Sequence, residues 1–182
     1  MNVNIRNGQG KTDSKNATGN LVIGYNEKIR TEDRTGSHNI ILGKGHSYSS
    51  YGGVVFGYDN NISGPYSSVT GGQKNEASGT YSSVTGGSMN IASNINSSVT
   101  GGGLNVASGQ TSWVSGGARN IASSTNSSIS GGDENKANQS YSSVCGGFKN
   151  SANGDISSIS GGKQRYVTGD YDWKAGDLFE GE

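Results

Sequence analysis

The sequence predicts an all-β protein, a parallel β-solenoid of fifteen-residue coils, and three observations lead there. From Ser67 to Tyr171 the frame S-S-V-T-G-G-x-x-N-x-A-S-G-x-Y recurs seven times without an insertion, and its glycine pair returns from Gly71-Gly72 to Gly161-Gly162 on the same two positions. Each copy opens with an alternation such as Ser68-Val69-Thr70, a period of two that fits a strand with one buried face. Thirty-two glycines in 182 residues, two of them adjacent in every copy, would cost a helix roughly 1 kcal/mol each relative to alanine.

Positions are numbered within the repeat, so that Ser67 is position 1 and Tyr81 position 15. At about 3.3 Å per residue, fifteen residues trace roughly 50 Å, which accommodates two short strands, two corners and a narrow interior. One repeat is therefore one coil, and stacked coils about 4.8 Å apart set equivalent residues into columns. Position 3 is always β-branched (Val69, Val84, Val99, Val114, Ile129, Val144, Ile159), and position 11 is alanine six times (Ala77, Ala92, Ala107, Ala122, Ala137, Ala152) before Val167. These two columns are the expected interior. Position 9 is asparagine six times (Asn75, Asn90, Asn105, Asn120, Asn135, Asn150), read as a structural ladder whose amides pair along the axis at a left-handed corner. Arg165 ends that ladder, and Val167 marks a modified last coil. One β-branched residue and one alanine per coil is a thin interior, so ladder hydrogen bonds and partner copies are both expected to contribute.

Taken in order, residues 1–19 are a polar, glycine-rich lead-in whose only strand-like piece is Val3-Asn4-Ile5. Residues 20–66 form looser coils around Leu21-Val22-Ile23-Gly24, Ile40-Ile41-Leu42-Gly43 and Val54-Val55-Phe56-Gly57. A strand apolar on both faces is normally covered on both. Val22, Ile41 and Val55 are accordingly expected at a seam with a neighbouring subunit, as is Trp113, which stands at an outward position otherwise held by serine. Residues 25–35 gather Glu27, Lys28, Arg30, Glu32, Asp33 and Arg34 into a charged loop expected to protrude into solvent. His38 and His46 bracket a strand and match no compact metal signature. Tyr48, Tyr51, Tyr58, Tyr66, Tyr81, Tyr141 and Tyr171 are assigned to corners, mostly at position 15. Residues 67–171 are the seven regular coils. Residues 172–182 break the pattern, and Trp173, Leu178 and Phe179 are the expected cap over the open end.

A hydrophobic fraction of 29% and a mean hydropathy of −0.63 ordinarily suggest disorder, but zero net charge and a strict repeat override that composition. Fourteen basic and fourteen acidic residues, with a pI near 6.7, leave no electrostatic footprint for nucleic acid or an anionic membrane. No apolar stretch suits a bilayer crossing, and Met1 to Gly10 carries no apolar run of the signal-peptide kind. Cys145, the single cysteine, takes the place of a threonine or serine in a column and has no histidine in its repeat to act as a base. No phosphate loop precedes a helix, and the glycine pairs lack the regular aspartates of calcium-binding rolls. The chain is expected to be no enzyme and to need no cofactor or metal.

In Asn20 to Gly24, Ser37 to Gly43 and Gly53 to Gly57 an apolar strand closes on glycine. In this the chain resembles the head domain of trimeric autotransporter adhesins, whose repeat runs roughly S-V-A-I-G-x-x-A-x-A, and similar rolls in phage and injection-system tail fibres. The resemblance covers about Gly19 to Tyr171, with glycine replacing the second apolar residue in the seven later copies. It implies a left-handed parallel β-roll and a homotrimer. It further implies an extracellular location, on a cell surface or a fibre, and attachment to a host or cell-surface protein or glycan. Two other functions compete. The rows Ser68-x-Thr70, Ser83-x-Thr85 and Ser98-x-Thr100 resemble the hydroxyl arrays of ice-binding solenoids, and a filament spacer needs no ligand at all.

Overall fold

The computed structural model describes residues 3–175, which contain β-strands and no helix. The first strands are β1 (Leu21–Ile23), β2 (Ile40–Lys44), β3 (Ser47–Tyr48), β4 (Val54–Tyr58) and β5 (Asn61–Ile62). From there each regular coil contributes one two-residue strand at positions 2 and 3, such as Ser68–Val69, and one at positions 10 and 11, such as Glu76–Ala77. Every pairing is parallel and joins a coil to the next one along the axis. An eleven-stranded sheet runs from β1, β2 and β4 to Trp173–Lys174, and a nine-stranded sheet runs from β3 and β5 to Tyr166–Val167. The strands are short because the serine–valine alternation lasts only that long before the glycine pair.

Register follows the repeat: Ser68 pairs with Ser83, Ser83 with Ser98, and Ser98 with Trp113. Val69 and its equivalents through Ile159, and Ala77 and its equivalents through Ala152, are buried inside the solenoid. The N-terminal coils fill the alanine column with larger side chains, Tyr48 and Ile62. Tyr48 is therefore an interior residue, only 5% exposed, and not a corner tyrosine as the spacing suggested. Its hydroxyl accepts a hydrogen bond from Asn26 Nδ2 at 3.0 Å, which satisfies the polar end of the ring.

The glycine pair has two different jobs. Gly102 has φ +80°, and a Cβ there would lie 2.1 Å from the carbonyl oxygen of Gly117 in the next coil. At Gly101 a Cβ would meet nothing within 4 Å. The irregular coils explain the difference: Ile40 lies beneath Val54 and Val54 beneath Ser68, a step of fourteen residues, and after their long-sheet strands these coils have a single glycine, Gly43 or Gly57, in place of the pair. Tyr58 bridges to Gln73, and a Cβ on Gly57 would meet Gly72, so Gly57 is the equivalent of the second glycine. The first glycine of the pair is the residue that lengthens the coil to fifteen.

The asparagine column is a ladder of a different kind from side chain on side chain. Asn75 Oδ1 accepts the backbone N–H of Asn90 at 2.9 Å, while Asn75 Nδ2 donates to the carbonyls of Gly71 and Gly87 at 3.2 and 3.0 Å. The pattern repeats through Asn150, whose Oδ1 accepts from the Arg165 backbone at 2.9 Å, where the column ends. The left-handed backbone sits one residue earlier, at position 8 (Lys74, φ +54°; Leu104, φ +59°), and again at position 15 (Tyr81, φ +59°; Ile156, φ +57°). Buried serines at position 1 brace the other corner. Ser67 Oγ donates to Gly64 O at 2.8 Å and Ser82 Oγ to Gly79 O at 2.7 Å.

The charged segment 25–35 does not stand off the stack. Arg34 ties it down, its Nη1 donating to Asn26 O at 2.6 Å and its Nε to His46 O at 3.2 Å. Glu32 Oε1 accepts the Ile29 and Arg30 backbone N–H groups at 2.8 and 2.7 Å, and Gly45 N donates to Glu27 O at 2.9 Å. Burial raises the Glu32 pKa, but the backbone N–H groups and the Arg34 charge outweigh it and hold the carboxyl below its ordinary value. The segment closes the first coil because its backbone groups need these partners.

Candidate interaction surface

Strand alternation decides which apolar residues of the N-terminal coils face out. Position 3 points inward, so Ile41 and Val55, expected at a subunit seam, are 0% exposed and line the coil's own interior beside Val69. Val22 belongs to the same inward column and is 39% exposed only because it lies at the end of it. The outward-facing residues are their neighbours. Leu21, Ile40 and Val54 stack in one outward column, and Ile23, Leu42 and Phe56 in the next. Leu21, Ile23, Ile40 and Leu42 are exposed, and Val54 and Phe56 half-buried. Their signal was present in the sequence as the second apolar face of each strand, assigned to the wrong phase.

From Ser68 onward the same two columns turn polar, with Ser68, Ser83 and Ser98 in one and Thr70, Thr85 and Thr100 in the other. The Thr70 hydroxyl donates to the Thr85 carbonyl at 3.0 Å. Trp113 interrupts the serine column and is exposed on this face. Trp173 occupies the same column in the last described coil. It was expected over the open end of the solenoid but lies along its side, exposed, with Nε1 donating to Ser160 Oγ at 2.8 Å. Its position is outward by strand alternation, and the inward neighbour at the end of the valine column is Lys174. Leu178 and Phe179, the other proposed cap residues, lie outside the described residues.

A second apolar surface was missed. Ile91, Val106 and Ile121 stack on the outward side of the nine-stranded sheet, and Met89 and Leu104 are exposed at the adjoining corner. Read down the columns at positions 8 and 10, rather than along the chain, the sequence carries it. At the opposite corner, Tyr51 meets Tyr66 edge-on at 5.3 Å and Tyr66 stacks on Tyr81 at 5.4 Å. Partial burial, with the neighbouring Tyr51, Tyr81 and Asp13, raises the Tyr66 phenol above its ordinary pKa.

Among the described residues no three His, Cys, Asp or Glu side chains are placed to share a metal ion, and no helix is long and apolar enough to cross a membrane. Cys145 is exposed on the outward face of the long sheet, in the column of Thr70. His38 lies at the N-terminal corner, and His46 is buried in the asparagine column. What these residues form is a surface of stacked outward columns, apolar at one end and hydroxylated along the rest. No family model matches the chain, and no curated protein matches it.

Proposed function

We propose that the chain is a non-enzymatic β-roll module of an adhesin head or tail fibre. In this reading three copies bundle as left-handed rolls into a rigid scaffold displayed outside the cell for attachment to a host or cell surface. The observation that carries it is the outward apolar block of Leu21, Ile23, Ile40, Leu42, Val54 and Phe56, contiguous over three coils of one sheet. A parallel sheet with apolar side chains on both faces is stable when both faces are covered, and an apolar surface of this kind on a soluble chain marks an interaction site. Identical copies offer the same block at the same height along the axis, so bundling covers it with like residues. The thin interior favours the same outcome, because shared burial between copies adds apolar contact that a valine and an alanine per coil do not supply.

Sedimentation equilibrium on the full chain tests the assembly. The expected mass is three chains, and Leu42→Asp, an outward substitution that leaves the interior column intact, is expected to release monomers. A wild-type monomer at micromolar concentration, or an oligomer indifferent to Leu42→Asp, would count against bundling through this block. Attachment is tested separately by screening the assembled protein against immobilised matrix proteins and glycans. A screen that returns nothing favours the spacer role.

A further inference from the structure

The lead-in at the N-terminal end is a built loop, and it encloses a cleft of about 450 Å³. Asn7 and Ser14, both 8% exposed, lock the two sides of the loop through a 2.6 Å hydrogen bond from Asn7 Nδ2 to Ser14 Oγ. Ser14 Oγ in turn donates to Lys11 O at 2.9 Å, Asn16 Nδ2 donates to Asn7 O at 2.8 Å, and Asn7 Oδ1 accepts from Gln9 N at 3.0 Å. His38 reaches the loop from the neighbouring coil, its Nδ1 lying 3.3 Å from Thr12 O. These bonds hold Gly8 and Gly10 in left-handed conformation, φ +79° and +73°.

Arg6, Lys11 and His38 line the cleft together with Gly8, Gly10 and Thr12, and no carboxylate lines it. The Arg6 and Lys11 side chains have no hydrogen-bond or ion-pair partner among the described residues, and neither do the backbone N–H groups of Gly8, Gly10 and Lys11. Successive backbone N–H groups in a turn with left-handed residues form a concavity that favours anions. Two unpaired cations beside such a concavity add charge where none is neutralised. We propose that this cleft binds a tetrahedral oxyanion, the phosphate or sulfate group of a larger ligand, with Arg6 and Lys11 neutralising it and the unpaired amides of Gly8, Gly10 and Lys11 donating to its oxygens. The site does not depend on bundling, since it is made from one chain.

The test is a titration of the full-length, isotopically labelled protein with inorganic phosphate and, separately, with inorganic sulfate, chloride holding the ionic strength constant, followed by amide NMR shifts. Saturable shifts confined to Gly8, Gly10, Lys11 and His38 are expected with a dissociation constant on the order of 1 mM. The Arg6→Gln/Lys11→Gln double variant is expected to weaken binding about ten-fold or more, the scale of a lost charge-assisted hydrogen bond, with an unchanged circular dichroism spectrum. Saturation by phosphate alone identifies a phosphate ester as the ligand class, and saturation by both ions a site that reads the tetrahedral oxyanion itself. Shifts that fail to saturate, that spread equally to Lys28 and Lys163, or that persist in the double variant would overturn the proposal.

Discussion

Acidification should loosen the N-terminal coils through one residue, His46. It stands at position 9, in register with Asn60 and Asn75, and is 0% exposed. Its ring reproduces the asparagine pattern: Nδ1 accepts the Asn60 backbone N–H at 3.2 Å, and Nε2–H donates to Leu42 O, four residues back, also at 3.2 Å. Asn60 makes the equivalent bonds, with Nδ2 donating to Phe56 O at 2.7 Å and Oδ1 accepting from Asn75 N at 2.8 Å. Only the neutral imidazole can play both roles. A proton on Nδ1 sets two donors face to face and leaves the buried Asn60 N–H without an acceptor, at a cost of about 1 to 3 kcal/mol. Burial is the first cause that lowers the His46 pKa, and the charge of Arg34, whose Nε bonds the His46 carbonyl, lowers it further. Backbone bonds to Leu42 and Gly57 oppose both without reversing the sign.

With the folded pKa below the unfolded value of about 6.5, the unfolded chain takes up the proton first. The stability of the native state is therefore whole above about pH 6.5 and falls as the pH drops from there towards the lower folded value. Urea unfolding of the wild type and of His46→Asn, followed from about pH 7.5 to pH 5, isolates the effect because the variant keeps the ladder and every other titrating group. Because one proton contributes at most about 1.4 kcal/mol per pH unit below about pH 6.5, the wild type should lose about 1 to 2 kcal/mol more than the variant over that range, and exchange of the Asn60 amide should quicken with it. Parallel pH profiles for the two proteins would refute the reasoning.

Three further outcomes follow from the coils themselves. Asn105→Ala removes the acceptor of Asn120 N and the donor to Gly101 O and Gly117 O. At about 1 to 3 kcal/mol for each buried group left unpaired, chemical denaturation should show a loss of several kcal/mol, and a loss under about 1 kcal/mol would sink the ladder's structural role. Gly101→Ala and Gly102→Ala, one residue apart, should differ sharply: the first is tolerated, whereas the second drives a Cβ against Gly117 and lowers the thermal midpoint. Equal midpoints would show that the two glycines are not distinguished by packing. Ile156→Asn relieves a β-branched residue held at φ +57° and should stabilise the protein by about 1 kcal/mol in the same urea assay; a destabilised variant would mean that the Ile156 side chain packs more than its exposure implies.

The columns of Val69 and Ala77 were legible because a fifteen-residue period leaves one way to stack, and a buried β-branched residue between two polar ones fixes its own face. The asparagine column was legible as a column but not as a mechanism. The bonds from Asn75 to Gly71, Gly87 and Asn90 depend on where the backbone of the next coil passes, which no local pattern records. The irregular coils were harder. In Ile40-Ile41-Leu42 every residue is apolar, so alternation supplies no phase, and only pairing with Val54-Val55-Phe56 and then with Ser68-Val69 shows that Ile41 and Val55 go in while Ile40 and Leu42 go out.

By itself, then, the sequence determined the all-β repeat, the length of the regular coil and the residues of its interior, since strict periodicity turns each local preference into a column. Tertiary structure alone decided the outward apolar face, the placement of His46 among the asparagines and of Tyr48 in the interior, and the folding of residues 25–35 against the stack. Each of those rests on contacts between coils of unequal length, nineteen and fourteen residues against fifteen, where position along the chain no longer reveals which residues meet.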